Sequence, residues 1–160
     1  AGLNTVASYA VPAEIRRSRL PLKRGFFGAL KEQDPLPPFQ DRANYVINGI
    51  MKGSVEALAK LHESGIVHRS IGRSSIVITT PSQDKREASD IYFTRAGGVT
   101  IKLSDFGFSC MLEESTSDEE FVARARTFGL SFRKGEDSLT ATNFAMAEDL
   151  HALGFVFLGL

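Results

Sequence analysis

The sequence predicts an α+β fold, mainly α-helical with small β-hairpins, and three stretches predict it. Between Asp41 and Gly65 apolar residues recur at three- and four-residue steps, the mark of a helix with one buried face. After Gly65 the pattern changes to short β-rich runs, IVH, SIVITT and VTIKLSD, separated by turn residues. From Asn143 to Leu160 a strongly apolar helical pattern returns. A length of 160 residues, 42% apolar and 24% charged, suits one domain with a real core.

Charge and cysteine usage narrow the function classes. Lys plus Arg and Asp plus Glu number 19 each, so nothing electrostatic calls for nucleic acid or an anionic membrane as partner. A single cysteine, Cys110, excludes an internal disulfide and a cysteine-built zinc site, and it points to a reducing compartment. No charged segment followed by an apolar core marks a signal peptide at the start. At the other end, LHALGFVFLGL is shorter than the about 20 residues that cross a bilayer and reads as a buried core helix, with no transmembrane span. Its pattern stops abruptly at Leu160, which predicts a piece of a longer chain.

The elements follow in order. Residues 1–22 mix small, β-branched and Arg residues without a period and read as a loose strand and loop, a hinge-like linker. KRGFFGALKEQ, residues 23–33, predicts a short helix that DPLPP must end, because proline lacks the amide donor and restricts its predecessor. Asp41 then starts an amphipathic helix of about 20 residues, with Ile47, Ile50, Met51, Val55, Leu58 and Leu61 on the apolar face. Asp41 is placed to accept first-turn amides and Gly65 to close the helix in a left-handed cap. The last two β-rich runs predict a hairpin whose long, charged connection, PSQDKREASDIYFTRAGG, is a surface loop. Between Cys110 and Thr142 the residues are polar and acidic, with EESTSDEE at 113–120 and no period, and predict a long exposed segment.

The ordered set LHESGIVHRS, SIVI, IKLSDFG, an acidic segment and EDLHALGFVF resembles the C-terminal lobe of a eukaryotic-type protein kinase over residues 23–160. The resemblance implies a catalytic loop at 66–78, a DFG turn at 105–107, an activation-like segment at 105–142 and a central apolar helix at 143–160. The family loop reads H-R-D-L-x-x-x-N, in which Asp accepts the substrate hydroxyl proton and Asn holds a second magnesium ion. His68 and Arg69 match, but Ser70 stands at the catalytic Asp, Ser75 at the metal-binding Asn, and Gly72 where many such kinases carry a phosphate-contacting Lys. A serine hydroxyl is neutral near pH 7 and is a poor substitute for a carboxylate that orients and deprotonates an alcohol.

Asp105 is retained, and the resemblance implies that it holds Mg2+ against ATP phosphates, with Ser75 as a weak second ligand. Val77, Arg73 and Ser75 fall at cofactor-binding positions, although Arg73 reads more readily as a solvated surface residue than as a phosphate contact. Structural roles are implied for His68, Phe106, which packs on it, Gly107, which lets the turn form, and Asp149, whose carboxylate accepts backbone amides of the loop. In active kinases the Arg69 position pairs with a phosphorylated segment, for which Ser115, Thr116, Ser117 and Thr127 are the acceptors here; Glu113, Glu114, Glu119 and Glu120 would repel phosphate at the first three. No A-P-E tripeptide follows the DFG turn, although the acids Glu136 and Asp137 lie at about the right distance before Asp149, and no glycine-rich loop or V-A-I-K-like strand precedes the first helix. As given, the chain supplies one wall of a two-lobed cleft.

The expected function is therefore a pseudokinase or strongly impaired kinase that binds ATP and Mg2+ and scaffolds a protein partner. The alternatives are a working Ser/Thr kinase with a non-standard loop and an interaction module without nucleotide. HRSIGRSSIVI, KLSDFGFS, ARTFGLSFR and ATNFAMAEDLHALGFVFLGL are further similar to the kinase-like region of plant plastid-lipid-associated (fibrillin) proteins. That similarity implies a chloroplast location and a lipid-associated module outside this chain.

Overall fold

A computed structural model describes residues 4–9, 43–79, 99–136 and 138–160. The expected helix at 23–33, the Asp41 cap and the connection at 80–98 lie outside the described residues.

A three-stranded antiparallel sheet forms one side of the first core. Strand β3, Ile76–Thr79, pairs with β4, Thr100–Leu103, in the register Ile76 opposite Leu103. On its other edge β3 pairs with β1, Asn4–Thr5, so that Thr5 stands opposite Val77. Residues 4–9 are thus not a free linker: a one-turn helix α1, Val6–Tyr9, follows β1, Val6 is fully buried in the core, and the amide of Ala7 donates to the carbonyl of Arg73 at 3.0 Å.

The long helix packs on this sheet. It opens as a π-helical stretch, Tyr45–Met51, and runs on as α2, Lys52–Glu63. Its packed face differs from the one that bulk hydrophobicity marks. Ile47 and Val55 are exposed, while Tyr45, Ile50, Ser54 and Leu58 are buried and the Ser54 hydroxyl donates to the Ile50 carbonyl at 2.7 Å. A Cβ placed on Gly53 would lie 2.7 Å from Cγ1 of Ile101 in β4, so the helix approaches the sheet closely enough to require a residue without a side chain there. Gly65, at φ +73°, closes the helix with its amide donating to His62 at 2.9 Å.

The acidic segment is folded, contrary to the exposed stretch expected at 110–142. Strand β5, Cys110–Met111, pairs with β2, Ile66–Val67; a short helix α3, Leu112–Ser115, follows, then α4, Glu119–Thr127. Asp118 caps α4 by accepting from the Glu120 amide at 2.9 Å. Phe121, Val122 and Ala125 on one face of α4 form a second core with Val67, Phe132, Ala141, Phe144 and Ala145.

The last helix, α5, spans Leu139–Leu158, four residues earlier at its start than expected, because Ser138 caps it through the Ala141 amide at 3.2 Å and Gly159 ends it. It belongs to both cores: Ala141, Phe144 and Ala145 lie in the second, Leu153 and Val156 in the first. No described helix is long and apolar enough to cross a membrane.

Candidate functional site

The site lies where the two cores meet. Val67 belongs to the second core and Ile71 to the first, so the chain between them, His68-Arg69-Ser70, bridges the cores as α5 does. Asp149 sits in the middle of α5 rather than at its start, and is 2% exposed. Its Oδ2 accepts from the His68 amide at 2.7 Å and its Oδ1 from the Arg69 amide at 2.8 Å, while His62 Nε2 lies 3.0 Å from Oδ2. A carboxylate in an apolar setting is tolerated only when its lone pairs are used, and three contacts use them. His62, near the end of α2, was not singled out in the sequence; the clue was an imidazole six residues before the loop histidine, on a face that α5 covers.

The fully buried His68 ring holds the loop to the turn at 104–108. Its Nε2 donates to the Ser104 carbonyl at 3.0 Å, which fixes the tautomer with the proton on Nε2 and leaves Nδ1 buried without a partner. The Ser109 hydroxyl donates to the His68 carbonyl at 3.2 Å. Phe106 meets the His68 ring at a centroid distance of 5.0 Å, but at 47% exposure it lies over the histidine and does not fill a core slot.

The turn at Asp105 is built differently from the sequence expectation. Gly107 does not take a left-handed conformation; Asp105 does, at φ +67°, before a single 3-10 turn, Phe106–Phe108. Among the described residues Arg69 is the other non-glycine residue at positive φ, +63°. Such residues persist where their surroundings over-determine them and concentrate at functional sites. The Asp105 side chain is exposed and makes no capping bond to the turn that follows it.

Ser75 and Ser70 behave differently. Ser75, 1% exposed, uses its hydroxyl inside the loop: Oγ donates to the Gly72 carbonyl at 2.9 Å and accepts from the Gly72 amide at 2.8 Å. That closes the GRS turn, so the hydroxyl expected as a weak metal ligand is engaged within the loop. Ser70 is half-buried, and among the described residues no carboxylate hydrogen-bonds to it. Val77 is 5% exposed within β3 and stands inside the sheet rather than on an open wall. The exposed Arg73 places its guanidinium against Gly159, filling the space that a side chain there would need. No group of three or more His, Cys, Asp or Glu able to enclose a metal ion occurs among the described residues.

The Arg69 side chain leaves the loop toward the acidic segment. One guanidinium nitrogen pairs with Asp118 Oδ2, and the other lies 3.8 Å from Cys110 Sγ. Partial burial works against the Arg69 charge, but hydrogen bonds to Asp118 and Cys110 outweigh it and raise the guanidinium's pKa. The Asp118 carboxyl is held below the ordinary carboxylate range, first by that hydrogen bond. Arg124 of α4 meets Glu148 of α5 through two bonds, 2.7 and 3.2 Å, which raise the pKa of Arg124.

No family model matches the chain. Among curated proteins it is similar to the probable serine/threonine-protein kinase fnkE of Dictyostelium discoideum, 33% identical over 76 residues, 48% of this chain and 5% of that protein. It is also similar to serine/threonine-protein kinase shk1/pak1 of Schizosaccharomyces pombe, 26% identical over 110 residues, 69% of this chain and 13% of that protein. The chain therefore spans a small part of the length of the curated relatives it matches. These partial matches support a protein-kinase-like relationship.

Proposed function

We propose that this chain is part of a protein-kinase-like domain that binds a nucleotide and a protein partner with little or no phosphotransfer. The observation that carries the reading is Ser70: a neutral hydroxyl occupies the position implied for the general base, and no described carboxylate hydrogen-bonds to it. General-base assistance is worth about 10²- to 10⁴-fold, so its loss depresses turnover without touching nucleotide affinity.

The exposed Asp105 carboxylate suits Mg2+, which commonly takes one or two carboxylates and completes its shell with substrate phosphates and water. One carboxylate, with no enclosing cluster of ligands among the described residues, fits a cation that arrives with a phosphate better than a resident metal. When bound, ATP and Mg2+ would bring the phosphate charge; the chain's own part is to hold Asp105 outward on a turn pinned through His68 and Ser104. A plastid location and a lipid-associated module elsewhere in the protein belong to the same proposal and rest on the motif similarity to plastid-lipid-associated proteins.

The test uses the full-length protein. A thermal shift with ATP that requires Mg2+ and disappears in Asp105→Ala is expected; a ligand at about 100 times its dissociation constant stabilises by about 2.7 kcal/mol. Absence of any shift would leave an interaction module without nucleotide. The names of both relatives favour a second reading, a working Ser/Thr kinase. Robust phosphotransfer by the unmodified protein, abolished in Asp105→Ala, would establish that reading instead.

A further inference from the structure

We infer that Asp118 is a built-in latch that docks the segment 110–127 onto the His68-Arg69-Ser70 loop without any added phosphate. This goes beyond the nucleotide reading and does not depend on it, since the latch acts within the unliganded chain.

The argument starts from the backbone. The amides of His68 and Arg69 both donate to the Asp149 carboxylate, and Arg69 is held at positive φ. Its side chain therefore leaves from a fixed point. The guanidinium reaches two parts of the acidic segment at once: Asp118, which caps α4, and Cys110 in β5. Asp118 has two separate tasks, one oxygen on the Glu120 amide and the other on Arg69, so the start of α4 and the position of the loop are one connected arrangement.

The neighbouring hydroxyls are arranged differently. Ser115 and Thr116 are buried, with hydroxyls donating to the carbonyls of Leu112 at 2.7 Å and Glu113 at 2.8 Å. Neither hydroxyl bonds to Arg69. Ser117 is exposed, but a phosphate there would have to displace a carboxylate already paired with the guanidinium. The arginine's anion is thus supplied by the chain itself, and the Phe121 core beneath α4 is held in place from both sides, by Arg69–Asp118 and by Arg124–Glu148.

Asp118→Asn separates the two tasks, because Asn caps a helix about as well as Asp and loses only the charge. The readout is limited trypsin cleavage at Arg124 and Arg126 relative to cleavage at Lys52 and Lys60 in α2, so that global unfolding cancels. We expect this ratio to rise about two- to tenfold in Asp118→Asn and in Arg69→Gln, with the double variant no worse than either single one. Bacterially produced protein should give the same ratio before and after phosphatase treatment. An unchanged ratio in both single variants, additive effects in the double variant, or a ratio that rises on phosphatase treatment would each overturn the latch.

Discussion

Asp149 accepts the backbone amide of His68 at 2.7 Å across 81 residues of sequence, and this single buried carboxylate joins α5 to the loop that carries Ser70. The same group accepts from Arg69 and meets His62, so its removal strands donors from two other elements. In Asp149→Asn one oxygen becomes an amide that points donors at donors. The expected loss is about 3 kcal/mol in denaturant unfolding, in the range for breaking a buried charged network. A loss below about 1 kcal/mol would mean that the loop does not depend on this carboxylate.

The close approach of α2 to β4 decides the sign of a substitution that propensity alone would get wrong. Gly53→Ala should gain about 1 kcal/mol of helix propensity, yet its new Cβ would press on Cγ1 and Cβ of Ile101 at 2.7 and 3.1 Å. Overpacking of this kind costs about 1–3 kcal/mol. We expect net destabilisation by thermal melting, and the additional change Ile101→Ala to recover part of it. Stabilisation by Gly53→Ala alone would show that the helix can back away from the sheet.

These two sites also explain which parts of the fold were legible. The α2 helix and the β3–β4 pairing follow from periodicity and β-branched runs, and Gly65 from the need for a left-handed cap. Periodicity chose the wrong face in part, because the tightest contact is marked by small residues, Gly53 and Ser54, and not by Ile47 or Val55. The second core was hidden for a related reason. Phe121, Val122 and Ala125 are interleaved with Glu119, Glu120, Arg124 and Arg126, and their partner Phe132 lies outside the helix, so no window of sequence looks apolar. The cap at Asp118 followed by two glutamates was the available signal. The left-handed Arg69 and Asp105 carry no sequence mark at all, since neither is glycine.

Acid should weaken the join between α4 and the loop. Asp118 has its folded-state pKa below the ordinary carboxylate value, principally through the Arg69 hydrogen bond. A depressed carboxyl contributes stability that is present above the unfolded-state pKa and lost as pH falls through the folded-state value. The contribution is therefore intact at neutral pH and lost below the ordinary carboxylate range, near and under about pH 4. Arg69 stays charged throughout. Tryptic cleavage is unsuitable at such pH, so hydrogen exchange of the 119–127 amides should be followed from pH 6 to pH 3, with Asp118→Asn as the reference. Parallel profiles for the two proteins would remove Asp118 from the acid response.

Ser70 offers the most direct chemical test. The two loops are already stitched together by Ser104, whose amide and hydroxyl both donate to the Ser75 carbonyl at 2.8 and 3.2 Å, so the backbone that would present a base is fixed. Ser70→Asp places a carboxylate on that fixed backbone, in the loop that His68 holds to the outward Asp105 turn. If the missing base is the main defect, phosphotransfer by the full-length protein should rise by about 10²- to 10⁴-fold with little change in ATP affinity. Asp105→Ala in the Ser70→Asp background should return it to the starting level. Should Ser70→Asp leave the rate unchanged while Mg2+-dependent ATP binding persists, the defect would lie in positioning the acceptor, and the Gly72 position, bonded through its amide and carbonyl to Ser75, would be the next to examine.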